Sequence, residues 1–267
     1  MHPEPNSPPP LPATPPSIPQ TPPKKGTQPW VIAIILGAVL LVLIAIVGIG
    51  AAIMIPTVGK VRETARRTVD SANLREVSRA AMIYASDKNG RLPSRSIPPD
   101  GRSEGDRELA TIHTVAAALA RDGALNDAGM WFSTSDEAAA GFDAHSRTVP
   151  IVLEDGSLNP EFMRQNAVSW DFVTGLNTHL PPHTPIAWTR GLRRDGTWDP
   201  QGGVYGDDGG HIVFLLGNVT FFADLRHAPL VTPDGQPTSD ILKALPVGAR
   251  VVGAGPGTLN GAEGGAP

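Results

Sequence analysis

IMIPTVGKVRETARRTVDSANLREVSRAAMIYASDKNGRLP, residues Ile53–Pro93, is the stretch whose reading decides the fold. Thr57, Val58, Val61, Ala65, Val69 and Ala72 recur at three- and four-residue spacings, with Lys60, Arg62, Glu63, Arg66 and Arg67 on the other sides. That pattern predicts an amphipathic helix. Leu74, Val77, Ala81 and Tyr84 continue the apolar stripe, rotated slightly round the axis. Asp87, Asn89 and Gly90, with Pro93 just beyond, supply the stop, and Pro56 starts or kinks the helix. The side carrying Val61, Ala65, Val69, Ala72, Val77 and Tyr84 is expected to pack against a sheet.

Upstream, Trp30–Ile55 holds no charged residue and consists of Val, Ile, Leu, Ala, Met and a few Gly. As a helix it reaches about 39 Å against a hydrocarbon core of about 30 Å, so it spans a bilayer once. A cleaved signal peptide is the competing reading. The run exceeds the usual apolar region of ~7 to 15 residues, and a long proline-rich segment precedes it, which favours a permanent anchor. Residues 1–29 are rich in Pro, Ser, Thr and Gln, a composition that favours polyproline II and cannot offset its ordering entropy, so a disordered tail is expected.

Downstream the signals shorten. A polar loop covers Ser94–Asp106, and a helix is expected over Arg107–Asp122, with Leu109, Ile112, Val115, Ala116 and Leu119 on one side. Thr148–Leu153, Ile186–Thr189, His211–Leu216 and Asn218–Phe222 read as strands. The last two form a hairpin turning at Gly217 and Asn218, residues that tolerate positive φ. From residue 252 to 267 Gly, Ala and Pro predominate, and a loose tail is expected. The division is thus a tail (1–29), a transmembrane helix (30–56), its amphipathic continuation (57–92), a globular α+β domain (93–251) and a C-terminal tail (252–267).

Composition narrows the function. The formal charge of −4 over 267 residues supplies no basic field for nucleic acid. No cysteine is present, which excludes disulfides, thiolate metal sites and cysteine nucleophiles. His179 and His183 have a zinc-like spacing, but Pro181, Pro182 and Pro185 forbid the helix it needs. Asp207, Asp208 and His211 form a small oxygen and nitrogen group, the weak candidate for a divalent cation, with too few ligands for a complete site. The serines lack a Gly-x-Ser-x-Gly setting, so no catalytic site is assigned and an enzyme is not expected. Gly253, Gly255 and Gly257 lack the strand-to-helix context of a nucleotide site. Trp131, Trp170, Trp188 and Trp198 are read as core, and Lys60, Arg62, Arg66 and Arg67 as either a solvated helix face or contacts to anionic headgroups.

Ile53–Pro93 resembles the start of pseudopilin-like proteins of type II secretion and type IV pilus systems, of the kind found in Verrucomicrobia and Planctomycetes. The shared elements are the hydrophobic helix ending at Pro56, Ala65–Arg67, Asn73 and Leu74, and the run Tyr84–Asp87, Asn89, Gly90, Leu92, Pro93. Gly209–Phe222, GGHIVFLLGNVTFF, is similar to the strand pair that closes such domains, with Leu216 and Asn218 in place of the usual Asp and His. The resemblance implies a pilin-like fold in which the long helix packs on an antiparallel sheet. It also implies a single-pass protein of the cytoplasmic membrane with a periplasmic domain, whose partners are the lipid bilayer and other pilin-like or secretion-system subunits. A prepilin's cleavage pair and helical Glu would fall at Ile34, Ile35 and Val39, so processing is not expected. Lys24 and Lys25 before the span and Lys60, Arg62, Arg66 and Arg67 after it favour the opposite topology by the positive-inside rule. The alternative role is a tethered extracytoplasmic ligand-binding or sensory domain.

Overall fold

The structure is a computed structural model that describes residues 28–94, 111–122, 124–141 and 149–265. The chain divides into two compact units, Met1–Val58 and Gly59–Pro267. In the first, Pro29–Ile46 is helical, has a mean hydropathy of 2.9 and is long and apolar enough to cross a membrane. Its side chains are exposed apart from the half-buried Val31. Residues 1–27 of the tail expected over 1–29 lie outside the described residues, as do residues 95–110, which hold the expected polar loop beyond Ser94 and the start of the expected Arg107–Asp122 helix with Leu109.

Helix α1 (Pro29–Asp87) contributes its portion from Gly59 to the second unit, followed by α2 (Ile112–Asp122) and the short α3 (Pro160–Met163). Strands β1 (Trp170–Thr174), β2 (Pro185–Thr189), β3 (Gly210–Phe214), β4 (Val219–Phe222) and β7 (Arg250–Val252) form an antiparallel sheet in the order β4-β3-β2-β1-β7. Strands β5 (Leu230–Val231) and β6 (Pro237–Thr238) form a small ribbon. The architecture is α+β, with one core that includes Leu74 and Val77 of α1, Ile112 and Leu119 of α2, and Trp170, Phe172, Trp188 and Ile212 of the sheet.

The helix end follows its sequence signal. Gly90, at φ +77°, donates its N–H to the Ala85 carbonyl at 2.8 Å, and Leu92 N–H then bonds Leu176 C=O at 3.0 Å. A left-handed glycine closes the helix and the next residues dock beside β1. The buried face of α1 differs from the expected one. Val61 and Val69 are 62% and 55% exposed, and Ala65 and Ala72 are exposed too, whereas Asp70, Leu74, Val77, Ser78, Ala80, Ala81 and Ala85 are buried. The buried line of Asp70, Leu74, Val77, Ala81 and Ala85 has helical spacing of its own, and it begins with a carboxylate because polar partners await it there. Tyr84 is half-buried at its margin.

Of the expected strands, Ile186–Thr189 and the hairpin are present. Phe214 N–H donates to Asn218 C=O at 2.9 Å, and Gly217 turns the chain at φ +80°. Thr148 lies outside the described residues, and the rest of the expected strand to Leu153 makes only one bridge, Val152 with Leu158. The Asn126 side chain takes both backbone groups of Val152, at 2.7 and 2.9 Å, and so replaces a neighbouring strand. Residues 253–265, expected as a loose tail, turn back on the sheet: Val251 N–H bonds Ala262 C=O and Gly264 N–H bonds Ala249 C=O. Gly253 is required there, since a Cβ would sit 1.9 Å from Asp171 Oδ1.

Val77→Asp is expected to lower the unfolding free energy by about 3 kcal/mol or more, and Val69→Asp by under about 0.5 kcal/mol. Denaturant unfolding of the full chain in detergent micelles measures both, and equal losses would reject this assignment of the helix face.

Candidate functional site

A polar cleft of about 330 Å³ opens between Glu63 and Arg66 of α1, the turn at 135–138 and the loop at 200–208, with Arg190 and Asp136 in its wall. Arg190 directly follows β2, whose apolar run carries it into the interior. Its Nη2 lies 2.5 Å from Asp136 Oδ1, and both side chains are almost fully buried, at 1% and 2% exposure. The guanidinium also donates from Nε to Val168 C=O at 2.9 Å and from Nη1 to the carbonyls of Gly202 at 2.7 Å and Pro256 at 2.5 Å. Asp136 accepts in turn from Ser169 Oγ at 2.8 Å and from Ala138 N–H at 3.1 Å. A buried charge pair persists only when its remaining donors and acceptors are met in this way.

A second polar group adjoins it. Asp70 Oδ2 accepts from Ser133 Oγ at 2.5 Å and from the Tyr205 hydroxyl. Ser133 N–H bonds Ser169 Oγ at 2.8 Å, which links the two groups. The Tyr205 hydroxyl is pushed well above its ordinary pKa by burial and then by the Asp70 charge, so it remains a donor. Its oxygen lies 3.5 Å from His211 Nδ1, and His211 stacks edge-on to Tyr205 and Phe221. Burial, with the Arg67 cation, lowers the His211 pKa to about 4, and the ring is neutral near pH 7. Arg67 itself lies 4.3 Å from the Phe221 ring centroid and pairs with Glu63 and, at 3.4 Å, with Asp208.

The candidate residues from sequence are thus separated. His211 is buried, Asp207 and Asp208 are exposed, and Asp208 turns to Arg67; among the described residues no three His, Asp or Glu side chains gather around a metal position. His179 and His183 are exposed on the non-helical connection between β1 and β2. Trp131, Trp170, Trp188 and Trp198 are buried in the core. Arg62 and Arg66 are exposed and Arg67 is half-buried under its aromatic neighbours. Ser133 donates its hydroxyl to the Asp70 carboxylate, and among the described residues no imidazole is hydrogen-bonded to it. The cleft is lined by charges of both signs, Arg66 and Arg190 with Glu63, Asp136, Glu137 and Asp208, and by the 200–206 loop. Sequence reading passed over Arg190, Asp136, Asp70 and Tyr205; the detectable signal was Asp70 four residues before Leu74, on the buried line.

Asp171, mid-strand in β1, is fully buried. Burial raises its pKa to about 6, against the opposing bonds from Thr258 Oγ1 at 2.5 Å and Leu259 N–H at 3.2 Å and the charge of Arg190. A folded pKa raised from 3.8 means that this group's contribution is fully present below pH 3.8 and is lost as pH rises through about 6. His211 has the opposite sign, since its lowered folded pKa favours the fold above pH 6.5 and costs stability as pH falls through about 4. The stability of Asp171→Asn relative to the natural chain is expected to rise by roughly 2 kcal/mol between pH 4 and pH 7 in denaturant unfolding. For the ion pair, Arg190→Met alone should cost about 3 to 5 kcal/mol, and adding Asp136→Leu should recover part of that loss. Additive losses in this double-mutant cycle would show that the two side chains do not depend on each other. Comparison of the chain with protein-family models, with characterised proteins and with solved structures gives no match.

Proposed function

We propose that this chain is a membrane-anchored, non-enzymatic structural or interaction protein of pseudopilin-like character, an auxiliary of a type II secretion or type IV pilus system. Its α+β domain would be held in the periplasm by a single pass through the cytoplasmic membrane. The observation that carries this reading is that α1 includes an apolar segment long enough to cross a bilayer and, further along, a buried line from Asp70 to Ala85 that forms part of a domain core. A helix used in both ways couples anchorage to the fold of an α+β unit. The exposed Val61, Ala65, Val69 and Ala72 add an apolar helix face available to a neighbouring subunit. Ile34, Ile35 and Val39 stand where processing and its compensating acid would require other residues, so the anchor is permanent.

The cleft at Arg190 and Asp136 favours a second reading, a tethered ligand-binding or sensory domain, because its wall exposes backbone groups of the 200–208 loop beside Arg66, Glu63 and Glu137.

The protein should resist alkaline extraction from membranes, its intact mass should include Pro3–Gln28, and protease added to spheroplasts should digest the domain. A mature N-terminus between Gly26 and Val39 would sink the permanent anchor. Protection of the domain until lysis would reverse the topology.

A further inference from the structure

Strand β4 is an edge of the sheet, with no strand beyond it among the described residues. The register fixes which backbone groups lie on that side. Phe214 and Asn218 are a hydrogen-bonded pair, so bonded pairs of the β3–β4 ladder alternate through Ile212 with Thr220 and Gly210 with Phe222. Val219 and Phe221 lie between them and turn their N–H and C=O groups outward. The far side of β3 agrees: His211, opposite Phe221, donates its N–H to Thr189 Oγ1 on β2 at 2.7 Å. Natural edges are commonly blunted by Lys, Pro, charge or a bulge. The run LGNVTFF, Leu216–Phe222, has no charge and no proline, its β3 pairing is regular, and Leu216 is 72% exposed.

At the hairpin end this edge meets a groove of about 560 Å³ between α1 and the turn, with Met82 and Leu215 as apolar lining and Arg75 and Arg79 among its residues. Glu76 holds Arg79 at 3.4 Å, so two arginines stand against one glutamate and the groove is positive. Ser78 also lines it, is 1% exposed, and its hydroxyl has no hydrogen-bond partner.

We propose that the β4 edge and this groove take an extended segment of a partner protein, which adds a strand to β4, seats an apolar side chain against Met82 and Leu215, and carries an acidic residue to Arg75 and Arg79. A second copy of this chain fits less well. Arg67 lies over Phe221, while Ser78 Oγ lies 3.6 Å from where a Cβ on Gly217 would stand, so α1 runs antiparallel to β4. Antiparallel pairing of two β4 edges would point two α1 segments in opposite directions and would offer Arg75 and Arg79 of each copy no acid within the paired run Leu216–Phe222. The proposal rests on the interaction part of the reading above and names the chemistry of the partner.

The test uses the full chain in detergent micelles and an end-blocked peptide of alternating Thr and Val closed by Leu-Asp-Asp, beside the same peptide with Lys for Asp. In the free protein the Val219 and Phe221 amides should exchange quickly and those of Thr220 and Phe222 slowly. The acidic peptide should bind saturably and slow Val219 and Phe221 exchange by about tenfold or more, with the Lys peptide about tenfold weaker. Arg75→Glu with Arg79→Glu should reverse that preference, and Val219→Pro, which removes an outward N–H at a position that accepts proline, should weaken binding with melting unchanged. No saturable binding by either peptide, or binding that leaves Val219 and Phe221 exchange unaltered, overturns the proposal. A concentration-dependent dimer that protects these amides without peptide overturns it in favour of a second copy. Failure of the anchor would appear instead in membrane extraction, not in these exchange rates.

Discussion

The buried pair of Arg190 and Asp136 is the constraint on which the rest of the second unit depends. Five segments meet at this one guanidinium: the end of β2 that carries it, the turn at Asp136, Val168 before β1, Gly202 in the cleft loop and Pro256 beyond β7. Desolvating two charges is expensive, and their attraction repays it only with good geometry, so the pair is a poor source of net stability. What it supplies is direction. Apolar packing tolerates many arrangements of irregular loops, but a planar group with fixed donors does not. The 200–208 loop and the 253–265 segment have little regular structure, and their placement follows from carbonyls aimed at Arg190.

Asp171 extends the same logic to the C-terminal segment. Thr258 and Leu259 bond its carboxyl, and Gly253 leaves the space it needs. A buried acid at the second position of WDFVT raises the cost of ionisation, which makes this clamp the place where pH acts on the fold with a sign opposite to that of His211. Asp171, on β1, is separated from β4 by β2 and β3, whereas His211 lies opposite Phe221 and its ring packs edge-on to that residue, so of the two groups only His211 borders the β4 edge.

The periodic parts of the fold were legible in the sequence. The helix to Asp87, its glycine stop, the core stripe of α2 and the β3–β4 hairpin each follow from spacing plus one turn residue. What was not legible depends on long-range polar bonds. Strand β1 was hidden because Asp171 interrupts an apolar run, and its burial makes sense only with Thr258, 87 residues away, as partner. The segment to Leu153 reads as a strand by composition, yet a single Asn126 amide takes its ladder bonds. At the site, Arg190 resembles an ordinary charge after a strand, and nothing local reveals four acceptors drawn from distant loops.

The polar contacts of Asp70 explain why the buried line of α1 opens on a carboxylate. Below it the helix packs largely through small side chains, Ser78, Ala80, Ala81 and Ala85. Such a surface is shallow, and sliding the helix by one turn, about 5.4 Å, would lose little apolar contact. Asp70 removes that freedom. A one-turn slip would present either Arg66 or Leu74 to Ser133 and Tyr205. Leu74 would leave two buried hydroxyls without their acceptor, and Arg66 would offer donors to donors. The cost of each unmet group is about 1 to 3 kcal/mol, more than the small side chains can resist by shape alone. The axial register of α1, and with it the alignment of Ser78 beside Gly217 and Arg67 over Phe221, is therefore set by one carboxylate. The exposed Val61, Ala65 and Val69 lie before that carboxylate on the same helix, so the position of this face relative to the sheet is fixed by polar bonds made elsewhere.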